Sequence, residues 1–367
     1  MNRNIRYLFI ALGVAIVGFV LWYFKSIVAY ILIASVFTLI GRPLMGFFSK
    51  IQYKKLKIPN ALSALFTVFI IWILILVFFR IFIPLIANQA SELSTINAEL
   101  VMKDLKEPIS KIDTLLVKYN INSDSSQSVN QYISEKFMSL LSVSMLSDFF
   151  GSMAGILGNI FIAAFSISFI TFFFLKDKGL LSEGILLFVP DKYVEKTSHI
   201  LLSIKKLLTR YFIGIIVQIS GIITLVSTGL TLVGVSFSDA LVIGLVVGLF
   251  NIIPYLGPVI GAALGLVLGL ATNLDLQFYT ELLPLIGYMT IVFIIVQVID
   301  NVVFQPFIYS SSVNAHPLEI FLVILCSGSL FGITGMILAI PSYTILRVIA
   351  KEFFNNLKVV KKITEKI

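Results

Sequence analysis

Apolar residues fall in runs long enough to cross a bilayer, and the polar residues collect between them. A crossing needs about 20 residues to cover a hydrocarbon core of about 30 Å. The first run, Tyr7 to Phe24, follows Arg3 and Arg6 and leads into more apolar sequence without a small-residue cleavage site. It predicts an uncleaved first helix rather than a signal peptide. Ile27 to Phe48 follows and ends in Lys50, Lys54, Lys55 and Lys57. A third run starts near Ile58-Pro59 and passes Arg80 and Pro84 to about Ala87. At 1.5 Å per residue that is about 45 Å of helix, so it must tilt, kink at Pro84 or protrude. Further spans are predicted at Phe149 to Leu175, Tyr211 to Val233 and Leu282 to Phe304.

Two other apolar stretches are divided. Ala240 to Ile253 and Val259 to Ala271 flank Asn251-Ile-Ile-Pro-Tyr-Leu-Gly-Pro258. Each half gives about 20 Å of helix, too short to cross alone. Leu318 to Leu330 and Ile333 to Leu346 flank the glycine-rich stretch from Gly328 to Gly335. Both pairs predict re-entrant hairpins in preference to full spans. Between Ser91 and Ser147 no run is long enough to span, and five lysines stand against seven acids. Leu93, Ile96, Leu100, Leu105, Ile109, Ile112 and Leu116 recur at helical steps, which predicts a small amphipathic insert, a stalk or cap.

The expected fold is therefore an all-α polytopic helical membrane protein with about seven to eight spans. Its expected parts are membrane helices over 1–90, a helical extracytoplasmic insert over 91–147, and a transport domain over 148–350 with a cytoplasmic segment at 177–209. A basic tail completes the chain over 351–367. Composition agrees: of 367 residues 58% are hydrophobic and 13% charged, where soluble domains average about 25% charged. A net charge of +8 sits in clusters at the ends of runs, as the positive-inside rule requires, and does not point to nucleic acid. Both termini are expected in the cytoplasm. Between Tyr211 and Leu346 there is no Lys or Arg, so that rule is silent there.

Chemistry is sparse. Two histidines and one cysteine, Cys326, cannot assemble the usual catalytic or metal-binding sets, and no phosphate-binding loop is present. Neither an enzyme nor a cofactor is expected, and no metal site. Intramembrane polarity is the better guide. Asp300 lies in an apolar span with Gln297 and Asn301 on the same helix face and Gln305 beyond. An aspartate at the bilayer centre costs about 2.5–3.5 kcal/mol, so it should face protein or water. Glu319, after His316-Pro317, is equally readable as an N-terminal helix charge, and Asp239 with Ser238 as the cap of the Ala240 helix. Proline breaks a membrane helix only where protein or a watery cavity takes up the freed carbonyls. Paired breaks of this kind point to a transport pathway. Asn251, Pro254, Gly257 and Pro258 are the pathway candidates at the first break. Gly257, Gly261, Gly265 and Gly269 recur every fourth residue, and Gly244 and Gly248 repeat that step in the preceding half. Such stripes predict close helix packing.

Several segments together resemble the autoinducer-2 exporter family of bacterial permeases. They are Phe173-Phe-Leu-Lys-Asp177 with Pro190, Tyr211-Phe-Ile-Gly214, and Gly248-Leu-Phe-Asn-Ile-Ile-Pro-Tyr-Leu-Gly-Pro258. Asp300-Asn301 with Gln305-Pro306, His316-Pro317, and Gly328-Ser-Leu-Phe-Gly332 through Pro341 complete the set. The resemblance runs from about residue 150 to 350. It implies an inner-membrane secondary transporter that forms homo-oligomers, pentamers first among them. It implies export of autoinducer-2 in some members and sodium or lithium/proton antiport in others. Two positions depart from the pattern: Gly-Gln is usual where this chain reads Gly214-Ile215, with Gln218 one turn on, and a glycine is usual near Tyr309-Ser310.

The expected function is export of a small polar solute, autoinducer-2 among the candidates, across the bacterial inner membrane. The rivals are cation/proton antiport at Asp300 and a non-transporting membrane scaffold. Topology is open to direct test. A cysteine at Ser125, in the insert, should react with an impermeant reagent in intact cells. Reaction only after permeabilisation would place the insert inside.

Overall fold

The computed structural model describes residues 22–50, 52–53, 56–95, 161–177, 179–273, 276–312 and 315–354, with residues 12, 13, 16, 18–20, 360 and 364. The insert beyond Thr95, the first part of the span expected at 149–175 and most of the basic tail lie outside the described residues. Helices dominate. They are α1, Lys25–Lys50; α2, Asn60–Thr95; α3, Phe161–Lys176; α4, Leu180–Leu186; and α5, Asp191–Leu232. After them come α6, Phe237–Phe250; α7, Leu256–Ala271; α8, 278–312; and α9, Pro317–Phe354. A two-residue antiparallel pair, Gln52–Tyr53 with Leu56–Lys57, turns the lysine loop between α1 and α2. Among the described residues five helical stretches have the length and apolar composition to cross a membrane, one of them, Pro317–Phe354, interrupted at Gly332, and α3, α6 and α7 are shorter apolar helices. The chain is an all-α polytopic membrane protein, as its sequence predicts.

Two compact units emerge, one from Met1–Leu76 with Gly155–Phe212, the other from Val77–Ala154 with Ile213–Ile367. In the first, small residues bring the helices together, since apolar lipid gives no hydrophobic drive between them. Ala34, Ser63, Ala64 and Thr67 are fully buried. A β-carbon at Gly41 would stand 2.9 Å from Thr67 Cγ2 and 3.2 Å from Ile71 Cδ1. Trp72 Nε1 donates to Ser168 Oγ at 2.6 Å, and Thr171 donates to the Ile167 carbonyl at 2.7 Å. α5 begins at Asp191, directly after Pro190, where the sequence puts its start.

The second unit is built on two hairpins. α6 (14 residues) and α7 (16 residues) measure about 21 and 24 Å, each short of the bilayer core. They lie antiparallel along the glycine stripe: a β-carbon at Gly261 would meet Val247 Cα at 3.1 Å, and one at Gly265 would meet Ile243 Cγ2 at 3.0 Å. At Gly269 it would meet the Met289 side chain on α8, and at Gly248 it would stand 2.6 Å from Ile223 Cγ1 on α5. At Gly244 it would stand 2.9 Å from the Ile223 carbonyl. The N-cap of α6 is Ser236 rather than Ser238 or Asp239. Ser236 Oγ accepts from the Asp239 N–H at 3.2 Å and donates to Asp239 Oδ2 at 2.7 Å. Ser236 therefore caps the N3 amide, and the Asp239 carboxylate takes the Ser236 hydroxyl proton and holds that hydroxyl in place.

α9 is the second hairpin. Gly332 takes φ 62°, ψ −148°, a conformation essentially reserved for glycine. The chain doubles back there: Met336 lies against Gly328, and Tyr343 Oη donates to Glu319 Oε2 at 3.0 Å. Twenty-four positions of straight helix would separate that pair by about 36 Å. Glu319 thus ties the two arms together as well as standing in a helix's first turn.

The glycine contacts set a testable contrast. A β-carbon at Gly257 runs into the Phe250 carbonyl, whereas one at Gly287 has nothing within 4 Å. Gly257→Ala should lose about 1–3 kcal/mol of stability through overpacking. Gly287→Ala should be neutral or gain up to about 1 kcal/mol from helix propensity. Thermal unfolding of the detergent-solubilised variants reads both. Equal midpoints would contradict the packing described.

Candidate functional site

The Asn251–Pro258 segment determines the site's shape. α6 ends at Phe250, and Pro254 prevents the next turn from continuing as helix. Tyr255 then takes φ 66°, ψ −52°, and the Leu256 N–H bonds the Pro254 carbonyl at 2.8 Å. This is a γ-turn of the rare, strained form with positive φ at its centre. Four more amides of the break are paired: Asn251 to Val247, Ile252 to Leu249, Ile253 to Phe250 and Gly257 to Ile253, at 2.9–3.2 Å. Pro258 falls inside α7, in its first turn, where a missing N–H costs little. Only Pro254 does the breaking. The Tyr255 ring packs edge-on against Phe321 of α9, centroids 6.0 Å apart.

Opposite the break, α8 changes its winding. Asp300–Phe304 is a turn of π-helix between two α-helical stretches, Leu283–Ile299 and Gln305–Ser312. In α-geometry, positions 300 and 305 would point about 140° apart. Here the Gln305 N–H bonds the Asp300 carbonyl, and the wider turn places the two side chains together. Gln305 Nε2 donates to Asp300 Oδ2 at 2.9 Å and to Asn301 Oδ1 at 2.8 Å. Gln297 Nε2 donates to the same Asn301 oxygen at 3.0 Å. The second carboxylate oxygen of Asp300 accepts from Gln218 Nε2 of α5 at 2.6 Å. Asp300 is fully buried, and Gln218 is buried too. Four carboxamides and one carboxylate form a continuous polar chain in an otherwise apolar setting.

This chain borders a cavity of about 630 Å³ within the second unit, lined from α5, α6, α7, α8 and the start of α9. Of the predicted pathway residues, Asn251, Pro258, Gln297, Asp300, Asn301 and Gln305 line it. Pro254 and Gly257 are buried behind them, and neither lines the cavity. Tyr255, Ile222, Val226, Val247, Val259, Ala262, Leu266, Thr290, Phe293, Ile294, Val296 and Pro317 complete the wall. The volume suits a small organic ligand. Sequence reasoning left Gln218 and Tyr255 out of the site. Gln218 carried a usable signal, as the one carboxamide between Tyr211 and Val233. Tyr255 carried none, because its role comes from a backbone conformation. Among the described residues no cluster of His, Cys, Asp and Glu could hold a metal.

Comparison with known proteins agrees with this architecture. The family model described as "AI-2E family transporter" matches residues 9–355. YueF of Bacillus subtilis (strain 168), whose name provisionally calls it a transport protein, is 26% identical over 96% of this chain and 92% of its own length. YrrI of the same organism, named in the same way, is 29% identical over 55% of each chain. MJ1177 of Methanocaldococcus jannaschii, again named provisionally for transport, is 23% identical over 86% of each.

Proposed function

The chain belongs to the AI-2E transporter family, and on that premise we propose that it exports a small polar solute through the cavity between Asn251 and Asp300. Autoinducer-2 is the first solute to try. The bacterial inner membrane is the expected location, with both termini cytoplasmic and a homo-oligomer as the working assembly. The observation that supports this reading is the 630 Å³ cavity, which faces a broken helix on one side and the carboxamide chain on the other. Asn251 on one wall and Gln297, Asn301 and Gln305 on the other offer carboxamide donors and acceptors, which suit hydroxyls and carbonyls. A broken helix is also the part of such a protein that can change conformation without unwinding a whole span.

A second reading has its own support. Asp300 is the buried carboxylate of the cavity wall, and no Lys or Arg occurs between Tyr211 and Leu346. A transported cation could serve as its partner, with a proton in exchange, which is sodium or lithium/proton antiport.

Flux in proteoliposomes at several pH values, for wild type and Asp300→Asn, separates the two. In solute export Asp300 anchors amides, and asparagine keeps one oxygen to accept from them. The variant should then lose about one hydrogen bond's worth of activity, roughly fivefold, with an unchanged pH profile. In antiport the variant should lose cation/proton exchange entirely and flatten the profile. Wild-type liposomes that move neither solute nor cation would contradict transport through this cavity.

A further inference from the structure

We propose that the cavity of the second unit takes an amphiphile: a neutral hydrogen-bonding head at the level of the helix break, with an apolar flank or short chain running toward Leu266. The inference rests on reading this cavity as the solute site, and it narrows the class of solute.

The polarity of the cavity is graded along one axis, and helix register shows the direction. The absent side chain of Gly265 faces Phe293, and that of Gly269 faces Met289, so α7 and α8 run antiparallel with those pairs level. Continuing four residues at a time brings the start of α7 level with the stretch 297–301 of α8. Asn251, Gln297, Asp300, Asn301 and Gln305, which line the wall, therefore gather at the break end. The wall beyond them is formed by Val226, Val247, Ala262, Leu266 and Phe293. Thr290 lies toward that end too, and its hydroxyl donates back to the Ile286 carbonyl at 2.8 Å.

A neutral head suits the donors and acceptors at the break end. Each Asp300 oxygen already accepts an amide N–H, from Gln218 and from Gln305, and Asn251, Gln297, Asn301 and Gln305 line the cavity with carboxamides, which both donate and accept. Size points the same way. One water occupies about 30 Å³, so a cavity of 630 Å³ has room for a body far larger than one ion.

Binding of a homologous series reads the inference directly. The probes are methyl, butyl and hexyl β-glucoside, titrated into the full chain in lipid nanodiscs with empty nanodiscs as the blank. Affinity should rise roughly fourfold per methylene as the chain buries. Ala262→Phe, which fills the apolar end, should abolish that rise while methyl glucoside still binds. Leu266→Trp serves the same purpose if Ala262→Phe does not fold. Asn301→Ala should weaken every member by the same factor, roughly fivefold. Equal affinity for methyl and hexyl glucoside would overturn the proposal. So would a chain-length gain that survives filling the apolar end, or a co-purifying phospholipid that hexyl glucoside fails to displace. Failure of the transport reading looks different: the binding series intact, with no solute flux in liposomes.

Discussion

A chain broken inside lipid must satisfy its own backbone, because hydrocarbon offers no partner to the groups a missing helical turn releases. Most of the second unit follows from that constraint. At the first break the amides of Asn251, Ile252, Ile253, Leu256 and Gly257 all find carbonyls within the break or the last turn of α6. The arrangement demands a positive φ at Tyr255 and the close approach of Gly257 to the Phe250 carbonyl. Alanine has no room at position 257, and a straight helix has no way past Pro254. At the second break Gly332 alone absorbs the reversal, and the Glu319–Tyr343 bond holds the arms once they have turned.

The same accounting extends to α8. A π-turn gives up regular helix geometry for one turn, and such bulges are frequent at functional sites. Here it does so where Asp300 must be both buried and fully hydrogen-bonded. A carboxylate left with one unmatched oxygen would carry a penalty of about 1–3 kcal/mol or more. The turn brings Gln305 to one oxygen while Gln218 reaches across from α5 to the other. On α5, Gly214, Gly221 and Gly229 let α8 come close, since a β-carbon there would run into Ile308, Phe304 and Val292 in turn, and the reach from Gln218 is short. Strain at Tyr255, wide winding at Asp300 and a cavity between them belong to one piece of construction. Residues in such sparsely populated conformations persist only where the surrounding structure holds them.

Much of this was legible from residue pattern. Proline between two short apolar halves identified the break, the four-residue glycine period identified the contact face of α7, and the steps from Gln297 to Asn301 identified a polar stripe. What escaped was whatever depended on departure from ideal geometry. Gln305 was named a candidate, but no α-helical wheel puts it beside Asp300, and the π-turn has no sequence signature. Gln218 pairs with Asp300 across 82 positions of chain, a distance that spacing rules cannot bridge. The expected cap of α6, Asp239 with Ser238, lies two to three residues past the observed one, because these side chains all offer an oxygen and only the bond from the Asp239 N–H singles out Ser236. Pro258 read as a second breaker, yet a proline in a helix's first turn breaks nothing.

Gln218 donates to Asp300, which lines the cavity, and does not line it itself, so any effect of Gln218 on solute flux should pass through Asp300. A double-mutant cycle of solute flux tests it most directly, using Gln218→Leu, Asp300→Leu and the pair. If the account holds, the double variant loses no more than Asp300→Leu alone, because the first residue's contribution passes through the second. Losses that simply add would show two separate contributions, and would contradict it.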